Sequence, residues 1–234
     1  MIAENIYEVK EKIKRKCAEV NRDISEIKLI AVSKNFGIEE IEEAFNEGVI
    51  DFGENRAQEL DIKFSRLGNK ITWHFIGNLQ RNKVRFVVNS SDYIHSVDSL
   101  LIATEINKRA GLINKIQKVL LQVNTTNEET KSGLTDYNEI KDLANYCMDF
   151  PNIELIGLMT IGPLTDDINL IRKSFSQLRK IKNRLNADNI NINELSMGMT
   201  SDYEIAIEEG STMLRIGSAI FGQRDYSTSW KEKL

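Results

Sequence analysis

Lys28-Leu-Ile-Ala-Val-Ser-Lys34 is a short apolar run closed by a lysine, and it has the look of a strand buried on both faces. Before it, Ile2, Ile6, Val9, Ile13, Cys17 and Val20 recur every three or four residues, which predicts an amphipathic helix. After it, Ile38, Ile41, Ala44 and Phe45 restore helical spacing, and Gly48 stands where a helix-ending glycine belongs. The alternation then continues to the end of the chain. Further strands are expected at 49–52, 72–75, 92–95, 117–123, 153–158, 193–195 and 212–216. Helical stripes separate them, the clearest being Ile168, Ile171, Phe175, Leu178, Ile181 and Leu185. Pro151 stops the helix that carries Ile140, Leu143, Ala144 and Cys147.

Strict alternation of strand and helix implies a parallel sheet with helical crossovers. Eight such strands without a linker or composition shift favour one closed (β/α)₈ barrel over residues 1–234, preceded by an additional N-terminal helix. An open doubly wound sheet typically carries a glycine-rich turn after its first strand; here that strand runs into Ser33-Lys34-Asn35-Phe36. The 234 residues lie near the lower limit for such a barrel.

Composition narrows the class further. Hydrophobic residues make up 41% and charged residues 28%, which is ordinary for a globular chain. A net charge of −4 argues against a general polyanion binder. The local group Arg81, Lys83 and Arg85 reads as a solvated helix face. The amino terminus lacks the apolar core of a signal peptide, and no run approaches a membrane span, so a cytoplasmic location is expected. Cys17 and Cys147 fall on apolar stripes and form no metal-binding or redox motif.

In a barrel of this type the site is built at the carboxyl ends of the strands. Those ends carry Lys34, Gly53-Glu54-Asn55, His74, His95, Asn124, Met159-Thr160, Ser196 and Arg215. A lysine at the mouth of an apolar strand favours its neutral amine, the form that attacks a carbonyl. Taken alone, such a lysine usually just reaches water. Ser196-Met-Gly-Met-Thr200 leads into Ser201-Asp-Tyr-Glu204, a capping-box pattern that opens a helix. Gly217-Ser218 follows the eighth strand. Loops after strands seven and eight are where these barrels hold phosphate, so a phosphorylated carbonyl ligand is expected. Arg215 closes an apolar strand, and a buried guanidinium needs an electron-rich partner, either an acid or a ring nitrogen.

These residues resemble a known family. Ala31-Val-Ser-Lys34, Phe52-Gly-Glu-Asn55, Trp73-His-Phe-Ile-Gly77 with Asn78 and Lys83, Gly157-Leu-Met-Thr160, Leu195-Ser-Met-Gly-Met199 and Leu214-Arg-Ile-Gly217 are similar, in order and spacing, to the pyridoxal phosphate homeostasis proteins. Those are related to the barrel domain of alanine racemase. The resemblance implies pyridoxal 5′-phosphate (PLP) held as a Schiff base on Lys34. It implies a phosphate cradle from Ser196, Gly198, Gly217 and Ser218. Arg215 matches the arginine at the pyridine nitrogen, and Asn55 and His74 match pocket residues.

The expected function is a non-catalytic PLP carrier in vitamin B6 homeostasis, a monomer or weak dimer that serves PLP-dependent apo-enzymes. The alternative is an amino-acid racemase or another, weakly active PLP enzyme. Racemisation needs acid–base groups on both faces of the α-carbon, and the related racemases draw the second from an additional C-terminal domain. The 18 residues after Ile216 are too few for one, and Tyr226 among them reads as a surface aromatic. A Schiff-base aldolase barrel is a third reading, under which the strand-eight arginine has no clear purpose.

Overall fold

The computed structural model describes residues 1–126, 128, 131–223 and 230–231. Eight parallel strands close into a barrel in chain order. They are β1 (Lys28–Val32), β2 (Asp51–Glu54), β3 (Thr72–Phe75), β4 (Tyr93–Val97), β5 (Gln117–Gln122), β6 (Ile153–Met159), β7 (Glu194–Ser196) and β8 (Met213–Ile216). The helices are α1 (Ile2–Glu19), α2 (Ile38–Asn46), α3 (Ala57–Leu67), α4 (Val84–Ser90), α5 (Leu100–Gly111), α6 (Tyr137–Asp149), α7 (Ile168–Ala187), α8 (Tyr203–Glu208) and α9 (Ser218–Phe221). The barrel expected from the alternation is present, with α1 as the extra N-terminal helix.

The local signals act where the sequence places them. Gly48 adopts φ 77° beyond α2, and its N–H bonds to the Phe45 carbonyl at 2.9 Å. Helix α6 stops at Asp149, just before Pro151. Helix α1 buries Ile2, Ile6, Val9, Ile13 and Cys17 against α2 and the short α8 and α9. It thereby covers the stretch of barrel wall that those two short helices leave thin. Cys17 and Cys147 are both buried, and burial pushes the Cys147 thiol up to about 12, so neither is a ready thiolate.

Two expectations shift. The second strand begins at Asp51 instead of Val49, because Val49 still completes the end of α2 by bonding to the Ala44 carbonyl. The fourth strand continues past His95 to Val97, so His95 lies within the barrel and not at its rim. Ser201 does not cap a helix either. Helix α8 starts at Tyr203 with Asp202 before it, and Asp202 Oδ1 instead accepts the Met199 N–H at 2.6 Å. The carboxylate thus ties down the loop after β7.

Inside the barrel, Ile30, Leu120, Met159 and Met213 form one apolar cluster. The remaining interior is polar, with His74, His95 and Ser196 fully buried and Arg215 nearly so. Outside, a continuous apolar layer joins strands to helices. Among the described residues no helix is long and apolar enough to cross a membrane, and no group of three His, Cys, Asp or Glu could hold a metal ion.

The seam between β6 and β7 depends on a missing side chain. A Cβ on Gly157 would stand 2.0 Å from the Glu194 carbonyl oxygen, closer than any contact allows. Gly157→Ala therefore has to move strand backbone, and overpacking of this kind costs ~1–3 kcal/mol. Urea denaturation should show a lowered midpoint with folded-state circular dichroism retained. An unchanged midpoint would mean that the two strands are not this close.

Candidate functional site

Lys34 follows β1 in a turn that is fixed from below. Asn35 adopts φ 67°, a left-handed conformation that asparagine tolerates better than most residues. Its N–H donates to Glu59 Oε1 at 2.7 Å. On the other side of Lys34, the Ser33 hydroxyl donates to Glu54 Oε1 at 2.6 Å. Both carboxylates meet the fully buried Lys63, whose Nζ donates to Glu54 Oε1 at 2.7 Å, Glu59 Oε1 at 2.8 Å and the Ser33 carbonyl at 2.9 Å. Burial pushes the Glu54 carboxyl up, against the pull of Lys63. Removing one partner of a buried ion pair costs ~3–5 kcal/mol, so the two neighbours of Lys34 are held by a stiff, dry charge cluster.

Lys34 is half-buried and lines a cavity of about 340 Å³ at the carboxyl ends of the strands. That volume suits a small ligand. Val32, Ile76, Ile161 and Met199 give apolar walls, and Asn55, Thr200, Ser201, Arg215, Gly217 and Ser218 complete the lining. Asn55 is set in place by Gly77, where a Cβ would come within 2.1 Å of the Asn55 carbonyl oxygen. The Thr200 hydroxyl accepts the Ala219 N–H at 3.4 Å, which links the loop after β7 to the loop after β8.

Arg215 rises into this cavity from β8 and is 5% exposed. One Nη1–H donates to Ser196 Oγ at 2.6 Å and one Nη2–H to the Thr160 carbonyl at 2.8 Å. Guanidinium carries five N–H donors, so two are used in holding the side chain. Burial lowers its pKa to about 10, opposed by the charge of Asp202. The guanidinium stays protonated near neutrality and offers its remaining donors to an acceptor in the cavity.

Five of the eight expected site residues come together here: Lys34, Asn55, Arg215, Gly217 and Ser218. Three do not line the cavity. Ser196 and His74 are fully buried beneath it, where Ser196 is engaged by Arg215 and by His95 Nδ1 at 2.8 Å. Gly198 adopts φ 96° and faces Ala206, whose Cβ a side chain here would meet at 2.6 Å. Its role in the structure is close packing of the loop on α8. Thr200 and Ser201, from the same loop, line the cavity. Tyr226 lies outside the described residues.

A lysine amine, a guanidinium, an amide and three hydroxyls around one small cavity suit a phosphorylated aromatic aldehyde. A primary amine can add to an aldehyde, a guanidinium can donate to a neutral acceptor, and hydroxyls can donate to an anion. A second cavity of about 430 Å³ opens at the opposite mouth beside Lys10, Lys28, Asp51 and Glu194. It is on the face that barrels of this type use for stability.

Comparison with known proteins agrees with this arrangement. The family model for the alanine racemase N-terminal domain matches residues 10–225. The pyridoxal phosphate homeostasis protein of Aquifex aeolicus is 41% identical over 225 residues, covering 95% of this chain and 98% of the relative. The structure of PipY from Synechococcus elongatus with PLP bound is 34% identical with a TM-score of 0.83, covering 95% of this chain and all (100%) of the other. Alanine racemase of Clostridium difficile shares the fold at 17% identity and a TM-score of 0.72; the match covers 96% of this chain but 62% of the racemase. The chain belongs to the pyridoxal phosphate homeostasis protein family, on the alanine racemase N-terminal domain fold.

Proposed function

We propose that this protein binds PLP at the Lys34 cavity and acts in PLP homeostasis as a carrier without robust turnover. PLP supplies an electrophilic aldehyde and an electron-accepting ring. Lys34 is the covalent anchor, through the Schiff base that its amine can form. Arg215 receives the ring nitrogen at the buried end of the cavity. Ser201 and Ser218 stand at the exposed end, where a phosphate remains partly hydrated, with Thr200 and the Gly217 backbone beside them. Ile76, Ile161 and Val32 keep water from the ring faces.

One observation carries the choice of carrier over racemase. Among the described residues that line the cavity, Lys34 is the one side chain suited to take a proton from carbon. Its companions are amide, hydroxyl and guanidinium groups. The two histidines, which could otherwise serve as bases, lie beneath the floor, and burial pushes both pKa values down. Racemisation requires a group on each face of the α-carbon. Arg215 at the ring nitrogen also disfavours ring protonation, which weakens the ring as a sink for electrons. The names of the relatives, homeostasis proteins and not enzymes, point the same way. The recipients are apo-enzymes that require PLP, and the expected location is the cytoplasm.

Lys34→Ala should fold and lose covalent PLP. Mass spectrometry after borohydride reduction of the parent protein should place the adduct on Lys34; an adduct on Lys83 or Lys131 would overturn the anchor. Ser218→Ala should lower PLP affinity roughly 10- to 100-fold, as loss of a charge-assisted hydrogen bond does, yet leave pyridoxal binding almost unchanged. Equal losses for both ligands would remove the phosphate from this loop. The PLP-loaded protein should reactivate a PLP-stripped enzyme and should not racemise alanine or serine. Turnover in the ordinary enzymatic range of ~1–10³ s⁻¹, lost in Lys34→Ala, would make it a racemase.

A further inference from the structure

The interior of the barrel holds an unbroken line of polar side chains. His74 Nε2 lies 2.8 Å from Asp51 Oδ1, and His74 Nδ1 lies 2.9 Å from His95 Nε2. His95 Nδ1 lies 2.8 Å from Ser196 Oγ, which lies 2.6 Å from Arg215 Nη1. At the far end Lys28 Nζ stands 3.4 Å from Asp51 Oδ1, beside the cavity of the opposite mouth. We propose that Asp51, His74, His95 and Ser196 form a hydrogen-bond relay that orients Arg215 from below and ties the ligand cavity to the opposite mouth of the barrel.

The two ends fix every proton between them. Arginine only donates and an ionised carboxylate only accepts, so with Asp51 accepting from a neutral His74 the order is set: the Ser196 oxygen accepts from Arg215 and its own proton goes to His95 Nδ1. His95 then carries its proton on Nε2 and donates it to His74 Nδ1. His74 in turn carries its proton on Nε2 and donates it to the Asp51 carboxylate. Both rings are neutral in this arrangement, and each bond has one donor and one acceptor. Charging His74 would put a second N–H opposite His95 Nε2. His95 would have to turn its tautomer, and the Ser196 hydroxyl would lose its acceptor in the relay.

The surroundings favour the neutral state. His74 is stacked on Tyr93 with ring centres 4.4 Å apart and planes 5° from parallel. The charged groups acting on it are Asp51, Lys28 and Asp92, and on His95 they are Arg215 and, when charged, His74. Lys28 and Lys118 both stand over the Tyr93 ring, at 5.7 and 5.3 Å. Burial is the main force against a charge on either ring; Lys28 at His74 and Arg215 at His95 add to it, while Asp51 and Asp92 pull His74 the other way. Gly53 pairs with His74 in the sheet, and its missing side chain leaves Ile30 and Ile76 room to close over the line.

The chain has only two histidines, so ¹⁵N spectra of the ring nitrogens contain only this pair, and the test begins on the protein without PLP. Both rings should show the Nε2–H tautomer and no titration between about pH 5 and 8, where an ordinary histidine titrates. An Nδ1–H tautomer on either ring, or titration in that window, overturns the relay whatever PLP does. The second readout rests on the PLP reading above. PLP should move the His95 resonances, and Ser196→Ala should weaken PLP binding about 10-fold and displace the same His95 signals. Ser196→Thr, which keeps the hydroxyl, should restore both. PLP bound with neither histidine shifted overturns the relay but leaves the carrier reading standing. Correct tautomers in a protein that does not bind PLP do the reverse. Should Ser196→Ala not fold, the tautomers of the parent protein still decide.

Discussion

Polar groups inside an eight-stranded barrel must pair with one another, because its interior is only wide enough for side chains. A polar group left unpaired in such a place costs ~1–3 kcal/mol, and a charge costs several times more. Arg215 is the group that sets this demand. Its guanidinium is 5% exposed and does not shed its charge, so a hydroxyl at Ser196 and a carbonyl at Thr160 must meet it. The Ser196 hydroxyl then needs an acceptor, which makes His95 necessary, and His95 in turn needs His74. The sequence of obligations ends at Asp51, where a carboxylate 8% exposed and a partly exposed ammonium reach the edge of solvent.

A second buried cluster plays the same part for Lys34, but from outside the barrel wall. Within β2, Asp51 and Gly53 point inward while Phe52 and Glu54 point toward the helices. One four-residue strand therefore supplies the foot of the interior line and the acid that steadies the Lys34 turn. Glu59 and Lys63 on α3 complete that acid's environment. The backbone turn at Lys34 and the guanidinium of Arg215, placed by neighbouring strands β1 and β8, are thus each held by groups that lie outside the cavity lining. The cavity itself can stay small and mostly apolar between them.

The sequence reveals the barrel because its two periods, near 3.6 and 2, alternate eight times without interruption. It reveals Lys34 and Arg215 because a charged residue closing an apolar run is conspicuous. Depth is what it conceals. His95 looks like a rim residue when its strand is taken to end there. Yet Ser96 and Val97 continue the strand, and a shift of two residues carries a side chain from the mouth into the interior, where His74, one residue before the end of β3, also lies. Ser196 is concealed in the same way. It adjoins a glycine-containing loop of the kind that holds phosphate, but it is the last residue of β7 and its hydroxyl points down to the histidines. The capping pattern at Ser201 was outweighed by Asp202, whose shorter path to the Met199 N–H closes the loop one residue later.

The same geometry decides which acid–base groups of this chain are already engaged with one another. Protein groups able to exchange protons with carbon are rare: histidine, lysine, tyrosine, cysteine and the carboxylates. The structure buries two histidines and several carboxylates, inside the barrel and behind its wall, and the fold pairs them within itself. His74 and His95 are closed into a line with fixed donors and acceptors, and Glu54 and Glu59 are closed around Lys63. Among the described residues that line the cavity, what remains beside Lys34 are amide, hydroxyl and guanidinium groups, which bind but do not take protons from carbon. Among the described residues, the hydrogen bonds that position Arg215 and the turn at Lys34 are thus the same ones that occupy both histidines, Glu54 and Glu59.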